Sequence, residues 1–154
     1  MEISKIDQAF FECNQCHSPY PKEGLPDKCP FCGGIYGLKG TLPFSLEKID
    51  QGSRRLWKYK HSLLLAPGAP DITLGEGGTP LIWVDDDENH QVGLKLESLN
   101  PTGSYKDRGT SVLISQIIYR GGKKCVEDSS GNAGASLAAY TARCGIPSTI
   151  YVPD

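Results

Sequence analysis

The chain has 154 residues, 38% hydrophobic and 22% charged, with 18 glycines, 11 prolines and six cysteines, a composition that excludes disordered and collagen-like chains. Sixteen basic against eighteen acidic residues give a formal charge of −2, so there is no field to hold a polyanion and nucleic acid is not expected as a partner. No apolar run approaches the roughly 20 residues that cross a bilayer, and residues 1–8 carry charges where a secretory leader needs an apolar core, so a cytoplasmic chain without membrane association is expected.

Four of the six cysteines fall in Cys13-Asn-Gln-Cys16 and Cys29-Pro-Phe-Cys32-Gly33-Gly34, with twelve residues between the pairs. This is zinc-ribbon spacing. Two residues between thiolates let both sulfurs of a tight turn reach one tetrahedral ion, and the intervening loop carries the second pair opposite the first. Glycines after the second pair let backbone amides fold back toward sulfur. Phe10, Phe11, Tyr20, Leu25, Phe31, Ile35 and Tyr36 are too few for an independent core, so metal supplies the missing stability. Two disulfides or a redox-active Cys-x-x-Cys compete with this reading, and a reducing compartment disfavours both. Four matched cysteines close the coordination sphere, which makes the expected zinc structural, with His17 left to solvent. Residues 1–40 are read as this module.

Residues 41–70 read as a linker with a helical connection. Its basic aromatic cluster, Arg54-Arg55-Leu56-Trp57-Lys58-Tyr59-Lys60, is expected to pack Leu56, Trp57 and Tyr59 on a neighbour; a nucleic-acid role is the alternative. Then comes Leu74-Gly75-Glu76-Gly77-Gly78-Thr79-Pro80-Leu81, whose three glycines in four positions demand close approach or positive φ. No Walker loop occurs in the chain, and the run is not a dinucleotide fingerprint, because a strand and not a helix is expected after Pro80. Residues 85–89 read as a solvated hairpin turn before a strand at 92–97, without the ligand spacing of a calcium loop.

From there, residues 71–154 read as strand, turn and helix, twice: strand 92–97, turn 100–104, helix 106–120; then strand 125–128, turn 129–134, helix 135–144 and strand 148–152. Such alternation implies βαβ units and a parallel sheet with covered faces. Ligands of such sheets bind outside the carboxyl ends of strands, and both polar turns are expected there. The first turn carries Ser104, Tyr105, Lys106, Asp107 and Arg108. Lys106 stands in the first helical turn, where the positive pole disfavours its protonated form, as a Schiff-base amine requires. A surface lysine paired with Asp107 is the plainer alternative. The second turn offers Ser129, Ser130 and Asn132 with helix-start amides suited to a carboxylate or ring oxygen, or to ordinary capping.

Lysine turn and asparagine turn, about 25 residues apart, resemble the pair in fold-type-II pyridoxal-phosphate enzymes. Residues 74–81, 95–109 and Asp128-Ser-Ser-Gly-Asn-Ala-Gly134 together resemble the threonine synthase family, some of whose members also carry a zinc-ribbon-like segment. The resemblance implies an α/β fold, part of the three-layer parallel sheet of those enzymes, preceded by the ribbon. It implies pyridoxal 5'-phosphate as cofactor, beside structural Zn2+ on Cys13, Cys16, Cys29 and Cys32. Lys106 becomes the residue bonded to the cofactor aldehyde and the proton shuttle, and Asn132 the partner of the pyridine 3-oxygen. Ser129, Ser130, Asn132 and Ala133 would hold the substrate carboxylate, and Ser104 and Arg108 would help hold its phosphate.

The implied reaction converts O-phosphohomoserine and water into threonine and phosphate. The cofactor phosphate loop of the family has no counterpart here, so the chain is expected to be the front part of such an enzyme and not active alone, with homo-oligomerisation left to the full-length protein. A sibling enzyme, such as a cysteate synthase or a serine/threonine dehydratase, is the alternative of the same fold. A zinc-ribbon binding module on a non-catalytic fold remnant is the alternative of another class.

Overall fold

The computed structural model describes residues 11–40, 42, 44–85 and 90–153. Strands β1 (Phe11–Cys13) and β2 (Tyr36–Leu38) pair antiparallel, with Cys13 opposite Tyr36. Between them the chain makes two knuckles. The His17 N–H bonds Cys13 O at 3.0 Å, and the Gly33 N–H bonds Cys29 O at 2.8 Å. Gly33 needs its glycine for a φ of +75°.

The basic aromatic cluster folds as 3-10 turns over Arg55–Ser62, kinked at Tyr59. Leu56 and Trp57 are buried with Leu65 and Ala69, and Val112 of the following helix packs against them, as expected of a packing cluster. The glycine run connects this layer to β3 (Leu81–Asp85), which pairs antiparallel with β4 (Gln91–Lys95). The hairpin turn expected at 85–89 falls mostly on 86–89, outside the described residues, although the Asp85 and Gln91 pairing closes the ladder.

That pairing corrects one expectation. The strand before the lysine turn belongs to this hairpin, and among the described residues it does not join the parallel sheet. Alternating apolar residues are compatible with either partner, and the short connection 86–90 favours the antiparallel one, since a parallel neighbour needs a crossover of a dozen or more residues. The second unit folds as expected. Strands β5 (Cys125–Asp128) and β6 (Ser148–Tyr151) are parallel, with Cys125 opposite Ser148, and helix α2 (Asn132–Cys144) crosses between them. Helix α2 starts three residues before the expected 135 and ends on Gly145 in the left-handed conformation, φ +69°.

Helix α1 (Lys106–Tyr119) packs on α2. Its buried stripe is Asp107, Ser111, Ile114 and Ser115, more polar than its isoleucines suggest, while Leu113 remains half exposed. The serines work as connectors: Ser115 Oγ donates to Ser111 O at 2.8 Å and accepts the Ile72 N–H at 3.1 Å. Ile114, Cys125, Leu137 and Tyr140 form the core between α1, β5 and α2, with Cys144 beside them. Cys125 and Cys144 thus act as small apolar side chains, their thiols pushed up by burial. No helix of the described residues is long and apolar enough to cross a membrane.

Candidate cofactor-anchoring site and metal cluster

The four ribbon cysteines converge. Their Sγ atoms all lie within 4.8 Å of one another, with Cys13 to Cys32 at 3.4 Å and Cys16 to Cys29 at 3.6 Å. Tetrahedral zinc with Zn–S of about 2.3 Å sets sulfurs about 3.8 Å apart, so this donor set fits the ion. All four cysteines are free. A Cβ on Gly34 would stand 2.8 Å from Cys13 Sγ, so only glycine lets the backbone pass the cluster. Hydrogen bonding to Ser18 pulls the Cys16 thiol down to about 6, whereas at Cys32 a Gly34 backbone hydrogen bond is outweighed by the crowding of the other sulfurs, which pushes it up to about 12. His17 lies outside the cluster, exposed, with Nδ1 3.2 Å from Glu12 Oε1.

The lysine turn is built from polar side chains that bind backbone. Asn100 is buried; it donates to Glu97 O at 2.8 Å and accepts the Gly77 N–H at 2.9 Å, tying the glycine run to the turn. Gly103 takes φ +82°. Ser104, buried, accepts the Lys106 N–H on its hydroxyl oxygen at 3.2 Å, so it acts on the start of α1. The Lys106 amine has no hydrogen-bond or carboxylate partner among the described residues and lies over the Tyr105 ring, 5.2 Å from its centroid. Asp107 does not pair with it. That carboxylate is fully buried and takes the Thr102 N–H at 2.7 Å, the Thr102 hydroxyl at 2.5 Å and the Ser136 hydroxyl at 2.6 Å.

Arg108 forks onto Glu97, Nε to Oε2 and Nη2 to Oε1, both at 2.7 Å, and Nη2 also reaches the Thr79 hydroxyl at 3.2 Å. The fork holds Glu97 at about 2, against its ordinary 4.5, with Thr79 and Asn100 assisting and burial opposing. Its guanidinium is therefore engaged within the fold, tying the lysine turn to the glycine run.

In the second turn, Ser129 Oγ accepts the Gly131 and Gly134 N–H groups at 3.3 and 2.9 Å, which leaves its proton free to donate. Gly131 is the N-cap and, being glycine, has no side chain to cap the helix. The Asn132 and Ala133 amides are first-turn N–H groups without an intrahelical acceptor. The side chains of Ser130 and Asn132 are exposed. A Cβ on Gly134 would meet Ile150 Cγ2 at 2.7 Å, so glycine is what lets α2 sit close on β6.

The sequence reading missed the residues that join the motifs. Glu76 is fully buried and accepts from Trp57 Nε1 at 2.7 Å, Tyr140 OH at 2.6 Å, Thr73 Oγ1 at 3.0 Å and the Leu74 N–H at 3.0 Å. Burial pushes its carboxyl up, but these hydrogen bonds outweigh that and hold it below the usual range. Burial and then Glu76 push the Tyr140 phenol well above its ordinary range, so it remains a donor. The three glycines are used by the protein itself: Gly75, Gly77 and Gly78 have φ of +93°, +81° and +59°, and a Cβ on Gly77 would meet Leu56 N at 2.9 Å. The available signal was an acid inside a glycine run.

A donor set of an unpaired lysine amine, a serine with a free proton and two open helix-start amides fits an aldehyde-bearing anionic cofactor with an amino-acid substrate. Residues 72–154 match the family described as pyridoxal-phosphate dependent enzyme. The chain belongs to that family. It is 31% identical to the threonine synthase of Methanosarcina acetivorans over 150 residues, which are 92% of this chain and 36% of the relative. With the threonine synthase of Mycobacterium leprae the identity is 40% over 99 residues, 62% of this chain and 28% of the relative. With that of Synechocystis it is 35% over 124 residues, 74% and 32% respectively. The chain thus spans about a third of the length of these curated relatives.

Proposed function

We infer that this chain is the cofactor-anchoring front of a threonine synthase, acting on O-phosphohomoserine and water to give threonine and phosphate. The observation that carries the reading is the order of three motifs on one scaffold: glycine run, lysine turn and asparagine turn, each joined to the next by a buried side chain, in a chain similar to threonine synthases over most of its length.

When bound, pyridoxal phosphate supplies an electron sink for the bonds at the substrate's α and β carbons. The chain's own residues do the rest. Lys106 would hold the cofactor through its amine and, as a free amine, would move protons at the substrate's α and β carbons. Its unpaired amine supports that role. Asn132 would be the partner of the cofactor's ring oxygen. Ser129 and Ser130 donate their hydroxyls, and Asn132 and Ala133 their amides, to the substrate carboxylate at the positive end of α2.

Ser104 contributes by fixing the entry of Lys106 into α1. The Arg108 fork on Glu97 argues against a first role on substrate phosphate, and for a role in holding the turn that bears Lys106. Zinc on Cys13, Cys16, Cys29 and Cys32 closes the ribbon, and a thiolate metal cluster of this kind suits a cytoplasmic setting. The domain division 1–40, 41–70 and 71–154 remains part of this proposal.

The test is phosphate release from O-phosphohomoserine by the full-length chain loaded with pyridoxal phosphate, with threonine measured alongside. One threonine per phosphate supports the reading. Keto-acid release from serine or threonine, without phosphate release from phosphohomoserine, would assign a dehydratase instead.

A further inference from the structure

Arg120 caps the end of α1 opposite Lys106, and its side chain reaches away from the family's motifs into the ribbon. Nη1 donates to three backbone carbonyls, Pro21 O at 3.0 Å, Lys22 O at 3.3 Å and Gly24 O at 3.5 Å. The guanidinium lies 5.0 Å over the Tyr20 ring. All four partners sit in the loop 17–28, between Cys16 and Cys29. That loop contains no helix, and its one β contact is the isolated bridge of Pro19 with Glu12. Backbone bonds to β1, Cys13 N–H to Ser18 O at 2.8 Å and Tyr20 N–H to Phe11 O at 3.0 Å, hold its first residues. Beyond Tyr20, whose ring packs edge-on against Tyr36 at 4.6 Å and whose hydroxyl bonds Pro26 O at 3.2 Å, its conformation depends on the cysteine pair at its far end.

Apolar packing does little to fix the ribbon here. A cavity of about 460 Å³ lies between ribbon and helix, lined by Tyr20, Leu25, Tyr36, Leu113, Gln116 and Ile117 among others. Where the surfaces are not filled, the polar anchor decides the register. Three carbonyls turned toward one guanidinium are an arrangement that an open loop loses, because each must be ordered separately against chain entropy. A metal ion on the four sulfurs closes the loop and keeps the arrangement formed.

We propose that Arg120 couples metal loading of the four-cysteine cluster to the order of the C-terminal half of α1, the helix whose other end carries Lys106. Coupling is reciprocal: if zinc orders the helix through Arg120, the anchored helix must tighten zinc binding by the same factor. The Lys106 end of α1 is held separately by Asp107 on Ser136, so loosening at Arg120 is felt as fraying from residue 120 toward 113. The proposal rests on the zinc reading given above.

The experiment is hydrogen exchange of the α1 amides in the full-length chain, zinc-loaded and after chelation, with zinc content measured by elemental analysis and affinity by chelator competition. In the wild type, chelation is expected to speed exchange over residues 113–121 about tenfold or more, the effect of losing a charged donor's bonds. In Arg120→Ala, exchange there is expected to be fast with or without zinc, and zinc affinity to fall by a similar factor. Arg120→Lys, which keeps charge but not the fork, should respond in between and serves if the alanine variant does not fold. Unchanged α1 exchange on chelation of a zinc-loaded wild type overturns the coupling. So does a full zinc response in Arg120→Ala. A chain that takes up no zinc overturns the metal reading itself, and elemental analysis tells that failure from the other two.

Discussion

The carboxylate of Asp107 accepts the hydroxyl proton of Ser136 at 2.6 Å, fully buried between α1 and α2. One residue after the lysine and four after the asparagine, this contact joins the two turns that the sequence presents separately. Asp107 also takes the N–H and hydroxyl of Thr102, so a single side chain sets the lysine turn, the start of α1 and the start of α2 against one another.

Breaking that junction has a graded cost. Asp107→Ala leaves three donors without their acceptor, two on half-buried Thr102 and one on buried Ser136, and should destabilise by about 3 kcal/mol, whereas Ser136→Ala removes one neutral partner and should cost about 1 kcal/mol. Denaturant midpoints of the two variants and of the double variant check this. The double variant should fall short of the sum, because both changes remove the same bond.

Glu97 predicts an acid dependence. Its folded-state value of about 2 lies below the ordinary 4.5, so its contribution to stability is complete above 4.5 and is lost as pH falls from there toward 2. Glu97→Gln should therefore flatten the stability profile in that window while lowering stability at pH 7 by about 2 kcal/mol. Urea titrations at pH 7, 4.5 and 3 read both effects; equal slopes for wild type and variant would count against the Arg108 fork.

Lys106→Ala should abolish the visible absorbance that pyridoxal phosphate acquires when bonded to the full-length chain, with the thermal midpoint changed by only a few degrees, since among the described residues the amine loses only its contact with the Tyr105 ring. Retention of the band would place the cofactor link on another lysine.

The two glycines after Cys32 should behave differently. Gly34→Ala pushes a methyl group to within 2.8 Å of Cys13 Sγ, and zinc affinity measured by chelator competition should fall about tenfold or more. Gly33 has open space around it but φ of +75°, so Gly33→Asn, which tolerates that conformation, should keep zinc.

Local chemistry was legible in the chain itself. Cysteine spacing announced the cluster, because a tetrahedral ion fixes how far apart its ligands stand along a turn. The helices of Lys106 and Asn132 and the parallel β5 and β6 pair followed from periodicity and from turn residues. The partner of the β4 strand did not follow, because alternation says which residues share a face and not which strand lies alongside. Arg108 illustrates the same limit: the family resemblance suggested a phosphate for it, and only the fold brought Glu97 into its fork.

By itself, then, the sequence determined the four-cysteine cluster, the order of the motifs and the positions of the two turns, all of which depend on residues close together along the chain. Tertiary structure decided how the motifs are joined. Glu76 meets Tyr140, Asp107 meets Ser136, Asn100 meets Gly77, and Arg120 meets the carbonyls of the ribbon loop. Each of these pairs a polar group with a partner distant in sequence, and the partner is fixed by the need to satisfy that group once folding has taken it out of water.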